Sequence, residues 1–149
     1  MTEWRLILKT RERHKLMDIE NLLIKAEESR QKAYAPYSKF TVGAALLTSD
    51  GEVYCGCNVE NASFSPTCCA ERVAFFNAVS NGKREFCAIA VVGRKYNEST
   101  SKSPCFPCGV CRQVMSEFCD GSFLIVTSDG EGNAIEMTLD DLLPKRFEL

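Results

Sequence analysis

Long apolar runs are missing from this chain, which nowhere approaches the ~18 consecutive apolar residues of a membrane span. The opening stretch, MTEWRLILKTRERHK, carries only the short cluster Leu6-Ile7-Leu8 and no small-residue cleavage site, so no secretory leader is expected. Surplus positive charge is missing too. With 18 Lys and Arg against 20 Asp and Glu, the formal net charge is −2. That balance removes the broad positive field that long phosphate backbones need and favours a small substrate over a polynucleotide. Histidine is nearly absent: the single one, His14, stands in the N-terminal stretch, which excludes a histidine-based metal site in the core. Repeats, low-complexity tracts and linkers rich in Pro, Gly or Ser are lacking as well. Residues 1–15 are therefore expected to form an extension with no assigned role, and residues 16–149 one domain.

What the chain does have is enough to fold. Its 149 residues are 45% hydrophobic and 26% charged, proportions that support a buried core without disulfide staples. Its nine cysteines are an odd number. Without a secretory leader they read as free thiols and metal ligands in the reducing cytoplasm, not as a disulfide framework.

Periodicity places the elements. Asp18 to Ala33 carries Ile19, Leu22, Leu23 and Ala26 at helical spacing and stops before Pro36. Thr41 to Thr48 and Glu52 to Val59 read as strands joined by Ser49-Asp50-Gly51, a hairpin turn. Residues 69–80 read as a second helix, stopped by Asn81-Gly82, and Phe86 to Gly93 as a strand. Pro107 suits the first position of a third helix running to about Cys119. Phe123 to Thr127 and Ala134 to Met137 follow as strands, with Thr138 capping a short last helix. The expected fold is α/β, a three-layer sandwich whose central mixed sheet of about five strands is flanked by helices.

The chemistry gathers at two helix starts. Cys69-Ala70-Glu71 opens one and Pro107-Cys108-Gly109-Val110-Cys111 the other. Cys108 and Cys111, three apart, share a helical face, and Cys69 can approach from a facing helix to make a three-thiolate site. Three protein ligands leave a fourth position open, which marks catalytic zinc, one ion per chain. Helix starts also stabilise negative sulfur through their unpaired N–H groups. Glu71, two residues beyond one ligand, is placed to reach a metal-bound water. A lone C-x-x-C says little; joined to C-x-E in one small α/β chain it is specific. The plainer readings are buried thiols at the three cysteines and a dipole-favoured carboxylate at Glu71.

These motifs make the sequence resemble the small homotetrameric cytidine deaminases from about Lys32 to Phe147. Tyr34-Ala35-Pro36-Tyr37-Ser38-Lys39-Phe40, Asn58-Val59-Glu60-Asn61-Ala62, Cys69-Ala70-Glu71-Arg72, the Pro107 to Gln113 run and Leu142-Leu143-Pro144 to Phe147 carry the likeness. The resemblance implies hydrolysis of cytidine and deoxycytidine to uridine and deoxyuridine, with zinc-bound hydroxide attacking C4 and Glu71 shuttling protons. It implies that Phe40 packs on the pyrimidine and that Asn58 and Glu60 bind ribose hydroxyls, with Ala62, Phe64, Ala70 and Phe147 also touching substrate. Three thiolates outweigh a dication, so Arg72 and Arg112 are expected to hydrogen-bond the sulfurs. The partners expected are a pyrimidine nucleoside and sister subunits that share active sites, with no long nucleic acid and no membrane.

Two departures keep other readings open. Phe64 is followed by Ser65-Pro66-Thr67-Cys68, and the longer loop before Pro107 contains Cys105. Cys105-x-x-Cys108-x-x-Cys111 resembles part of an iron–sulfur run, with Cys69 or Cys119 as a fourth ligand. Cys68 or Cys105 could instead close a structural zinc site. Within the deaminases, a polynucleotide or a blasticidin-type antibiotic is the alternative substrate.

Overall fold

The computed structural model describes residues 19–149. The expected extension 1–15, with His14, and the expected helix start at Asp18 lie outside the described residues. Residues 19–30 form α1, followed by β1 (Phe40–Thr48), β2 (Val53–Cys57), α2 (Ala70–Ser80), β3 (Phe86–Lys95), α3 (Gly109–Phe118), β4 (Leu124–Ser128), β5 (Ala134–Thr138) and α4 (Leu139–Leu142). The strands make one sheet in the order β2-β1-β3-β4-β5. β3 and β4 pair parallel across the α3 crossover, and the remaining neighbours are antiparallel.

Alternation along the strands builds a core on each face. Ala44, Leu46, Ile89, Val91 and Ile125 point toward Phe75 of α2, Met115 of α3 and Leu139 of α4. Ala45, Ala88, Ala90, Val92 and Val126 point toward Ile19, Leu22 and Ala26 of α1. The result is α1, sheet, then α2 with α3 and α4. Phe75 anchors the larger core, its ring centre 5.1 Å from Phe86 and 6.0 Å from Phe118 and Phe123. Among the described residues no helix is long and apolar enough to cross a membrane.

Several expected boundaries move, each for a local reason. α1 ends at residue 30 and not at Ala33, because Tyr34 donates its N–H to Asn58 O at 3.0 Å and is drawn toward the sheet. β2 stops at Cys57, since Val59 leaves the ladder to bridge Tyr34 and Cys68. β3 runs on to Lys95, which pairs with Phe40 at the start of β1. β4 begins one residue late, with the Phe123 N–H turned to Asp120 O and the Phe123 carbonyl accepting from the Leu139 N–H. Pro107 is not the first residue of α3: Cys108 is still extended (φ −68°, ψ 166°) and is the N-cap, so the proline precedes the helix. The Thr138 cap is as expected, a full capping box with Asp141.

Two glycines set how closely the helices lie on the sheet. A Cβ on Gly43 would strike Ala26 O and the Arg30 backbone of α1, and one on Gly56 would strike Ala70 O and Ala74 N of α2. Both neighbours are backbone, which cannot rotate aside. Gly43→Ala is expected to destabilise the protein by about 2 kcal/mol or more. Chemical denaturation checks this, and an unchanged midpoint would mean that α1 is free to lift from the sheet.

Candidate metal centre and active site

The starts of α2 and α3 converge, and their caps carry the sulfurs. Cys69 is the N-cap of α2, Cys108 the N-cap of α3, and Cys111 lies in the first turn of α3. Neither cap side chain bonds its own helix, so both thiols are free to face one another. The Sγ atoms of Cys69 and Cys108 are 3.7 Å apart, those of Cys108 and Cys111 3.6 Å, and all three lie within 4.8 Å of one another. These separations are too long for disulfide bonds. They match the edge of a zinc–thiolate tetrahedron, about 3.8 Å for a Zn–S bond of about 2.3 Å. All nine cysteines are free.

The surroundings supply the charge such a cluster needs. Hydrogen bonds from the Cys111 thiol and from Arg72 pull the Cys69 thiol down to about 5, while Cys111, sharing its hydrogen with Cys69 and buried, is pushed up. Arg72 Nη2 donates to Cys69 Sγ at 3.5 Å and to Thr67 O at 3.4 Å. Its Nε is buried with no partner among the described residues, a cation held ready beside sulfur. The donor set and this guanidinium together fit a zinc ion.

Glu71 follows in the first turn of α2, 4% exposed, with its carboxyl raised above the usual range by burial against a hydrogen bond from Cys111. Cys105 does not join the sulfurs. Burial pushes its thiol up to about 12, and its N–H donates to Thr127 Oγ1 at 3.1 Å. Its side chain sits where a Cβ on Gly93 would meet both its sulfur and the Phe40 ring. Among the described residues only Cys69, Cys108 and Cys111 group as ligands. Neither an iron–sulfur run through Cys105 nor a site closed by Cys68 or Cys105 is therefore assembled.

The expected substrate residues divide. Asn58 Oδ1 accepts from Val42 N–H at 2.8 Å and its Nδ2 donates to Phe40 O at 2.9 Å, so its amide splints the start of β1. Glu60 accepts from the N–H groups of Tyr37 and Ser38, each at 3.1 Å. Although burial opposes it, those bonds hold its carboxyl below the usual range. Both side chains thus fasten residues 37–42 and with them the half-exposed Phe40. Ala62 is exposed on the following loop. Ala70 is fully buried, with its methyl in the core between α2 and the sheet. Arg112 is a correction: its Nε donates to Pro107 O at 2.8 Å and its Nη1 to Leu142 O at 2.7 Å, which directs it to backbone carbonyls. Phe64 and Phe147 stand 88% and 69% exposed. The Gly93 and Cys105 backing of Phe40 was not foreseen, and only the unusual loop cysteine hinted at it.

The pattern described as the cytidine and deoxycytidylate deaminase zinc-binding region matches residues 17–127. A cytidine deaminase of Sporosarcina psychrophila is 50% identical over 131 residues, covering 88% of this chain and 92% of that protein. One of Halalkalibacterium halodurans is 47% identical over 131 residues, with 88% and 95% covered. The crystal structure of cytidine deaminase from Burkholderia pseudomallei superposes with a TM-score of 0.77 at 48% identity, covering 86% of this chain and 98% of its own. The likeness therefore begins well before Lys32 and takes in α1. Matched through both cysteine motifs and across the whole layered fold, the chain belongs to the cytidine deaminase family.

Proposed function

We propose that this chain hydrolyses cytidine and deoxycytidine to uridine and deoxyuridine, releasing ammonia, with Glu71 carrying the protons. The observation that supports this reading is a three-cysteine cluster with a carboxylate buried at its side. Cys69, Cys108 and Cys111 would hold one zinc ion. When bound, zinc supplies the Lewis acidity that makes water a nucleophile near neutral pH. Glu71 takes a proton from the attacking water and delivers it to ring N3, then carries the remaining proton of the new C4 hydroxyl to the departing amine as the carbonyl forms and the C–N bond breaks. Being buried, it keeps that proton inside the site and does not lose it to solvent. Arg72 offsets the thiolate charge. Phe40 offers the pyrimidine a face, fixed by Asn58 and Glu60, and the ionised Glu60 can accept from a ribose hydroxyl beside the segment it ties down. Residues 16–149 work as one catalytic domain, and the free thiols suit a reducing cytoplasm.

The assembly is a homotetramer in which Phe147, and with it Phe64, completes a neighbour's site. Two large rings exposed on one chain support this reading, since burial against a sister subunit removes both from water.

Metal analysis tests the ligands: Cys69→Ala is expected to lose zinc and activity, and Cys105→Ala to keep one zinc per chain. The reverse pattern would overturn the assignment. With cytidine, the parent protein is expected to show loss of substrate absorbance and ammonia release in step. Glu71→Gln should keep zinc and fold while kcat falls at least 10²-fold, on the order expected when a proton carrier is removed. Turnover near the parent rate would take Glu71 out of the mechanism. Finally, co-expressing a Glu71→Ala chain with one truncated after Arg146 is expected to restore activity that neither has alone. Mixed tetramers that recover nothing would confine the tail to its own subunit.

A further inference from the structure

The C-terminal segment is fastened closely to its own subunit and then presents an open ring. Leu139 is buried in the core, and the Leu143 N–H donates to Leu139 O at 2.8 Å. Lys145 turns the chain with a φ of 51°, and Arg146 Nη1 meets Asp140 Oδ1 at 2.6 Å. One residue later Phe147 is largely exposed. The last carbonyls of so short a helix as α4 lack intrahelical partners. Arg112 supplies one: the same guanidinium that bonds Leu142 O also bonds Pro107 O, the carbonyl just before Cys108. A planar guanidinium holds two acceptors in fixed relation, which an ammonium on a flexible stem does not. The metal turn and the root of the tail are therefore one rigid unit.

We propose that Arg112 is a positioning residue acting across the subunit boundary: from the metal turn of its own chain it sets where Phe147 is delivered into a neighbour's substrate pocket. This rests on the shared-site reading above. Its consequence is that removing Arg112 harms the neighbour's binding and leaves its own chain's chemistry in place. Free to swing, the tail no longer offers its ring in one orientation, and a binding contact is weakened that chemistry does not need.

The test uses Arg112→Gln in the full-length zinc-loaded protein. The variant is expected to keep one zinc per chain and to change kcat by less than about threefold, while KM for cytidine rises about tenfold, the scale of one lost aromatic face. Trypsin cleavage after Lys145 and Arg146 should quicken in step. Assembly with an excess of Glu71→Ala chains then locates the defect. Those chains carry no chemistry but bring an intact Arg112 and tail, so the Arg112→Gln sites they surround should return to the parent KM. A KM that stays raised, or zinc lost from Arg112→Gln alone, would place the role of Arg112 in its own metal turn and overturn the proposal. An unchanged KM in Arg112→Gln would also overturn it. If that variant yields no soluble oligomer, Arg112→Lys is read in the same way, and a parent KM for it counts against the proposal. Phe147→Ala separates the two ideas: a parent KM there defeats the shared site itself, whereas a raised KM there with no effect of Arg112→Gln defeats only the positioning role.

Discussion

Three sulfurs held within reach of one ion impose a charge problem, and much of this fold answers it. Thiolates repel one another, and burial of negative charge is costly unless donors face it. Two helix starts bring the positive ends of their dipoles to the same place, and Arg72 brings a guanidinium that donates to Cys69. Removing either helix start would leave the sulfurs short of both position and compensation. The sheet beneath exists, in this sense, to hold two helices with their N-termini together.

How well it does so depends on contacts made by backbone. Gly56 lets the first turns of α2 settle directly on β2, and Gly43 does the same for α1 on the far face. The far face is tied further by Glu27, which binds Arg94 of β3 and Arg30 of its own helix at 2.6 and 2.7 Å. Arg30 in turn reaches Thr41 near the start of β1, close to Phe40. The ring proposed to meet the pyrimidine therefore belongs to a segment fixed from both sides of the sheet: by α1 through Thr41, and by Asn58 and Glu60 through the backbone.

Local spacing made the chemistry legible in the sequence. Cys108 and Cys111 lie on one turn, Cys69 and Glu71 on another, and the Thr138 cap and the Asp50-Gly51 turn are likewise written in adjacent residues. What escaped the sequence depends on partners far along the chain. Arg112 follows Cys111 and so suggested sulfur as its partner, yet its acceptors are the carbonyls of Pro107 and of Leu142, the latter 30 residues away. Asn58 was expected to bind a ribose hydroxyl, and here its short amide beside a strand end also continues the ladder. The early ends of α1 and β2 share that cause, since Tyr34, Asn58, Val59 and Cys68 form a small knot that no periodicity announces.

Cys69 and Cys108 occupy positions where a helix ordinarily places Ser, Thr, Asp or Asn to hold its first N–H groups, and here neither makes that bond. Both longer helices on this face thus begin without a side-chain stop, and a zinc ion held by Cys69 and Cys108 would take over the task that capping performs elsewhere. Metal uptake then belongs to maturation as much as to catalysis. In the metal-free polypeptide the first turns of α2 and α3 would be the first to fray, loosening the buried Ala70 and Cys111 on this face while the far side of the sheet stays intact.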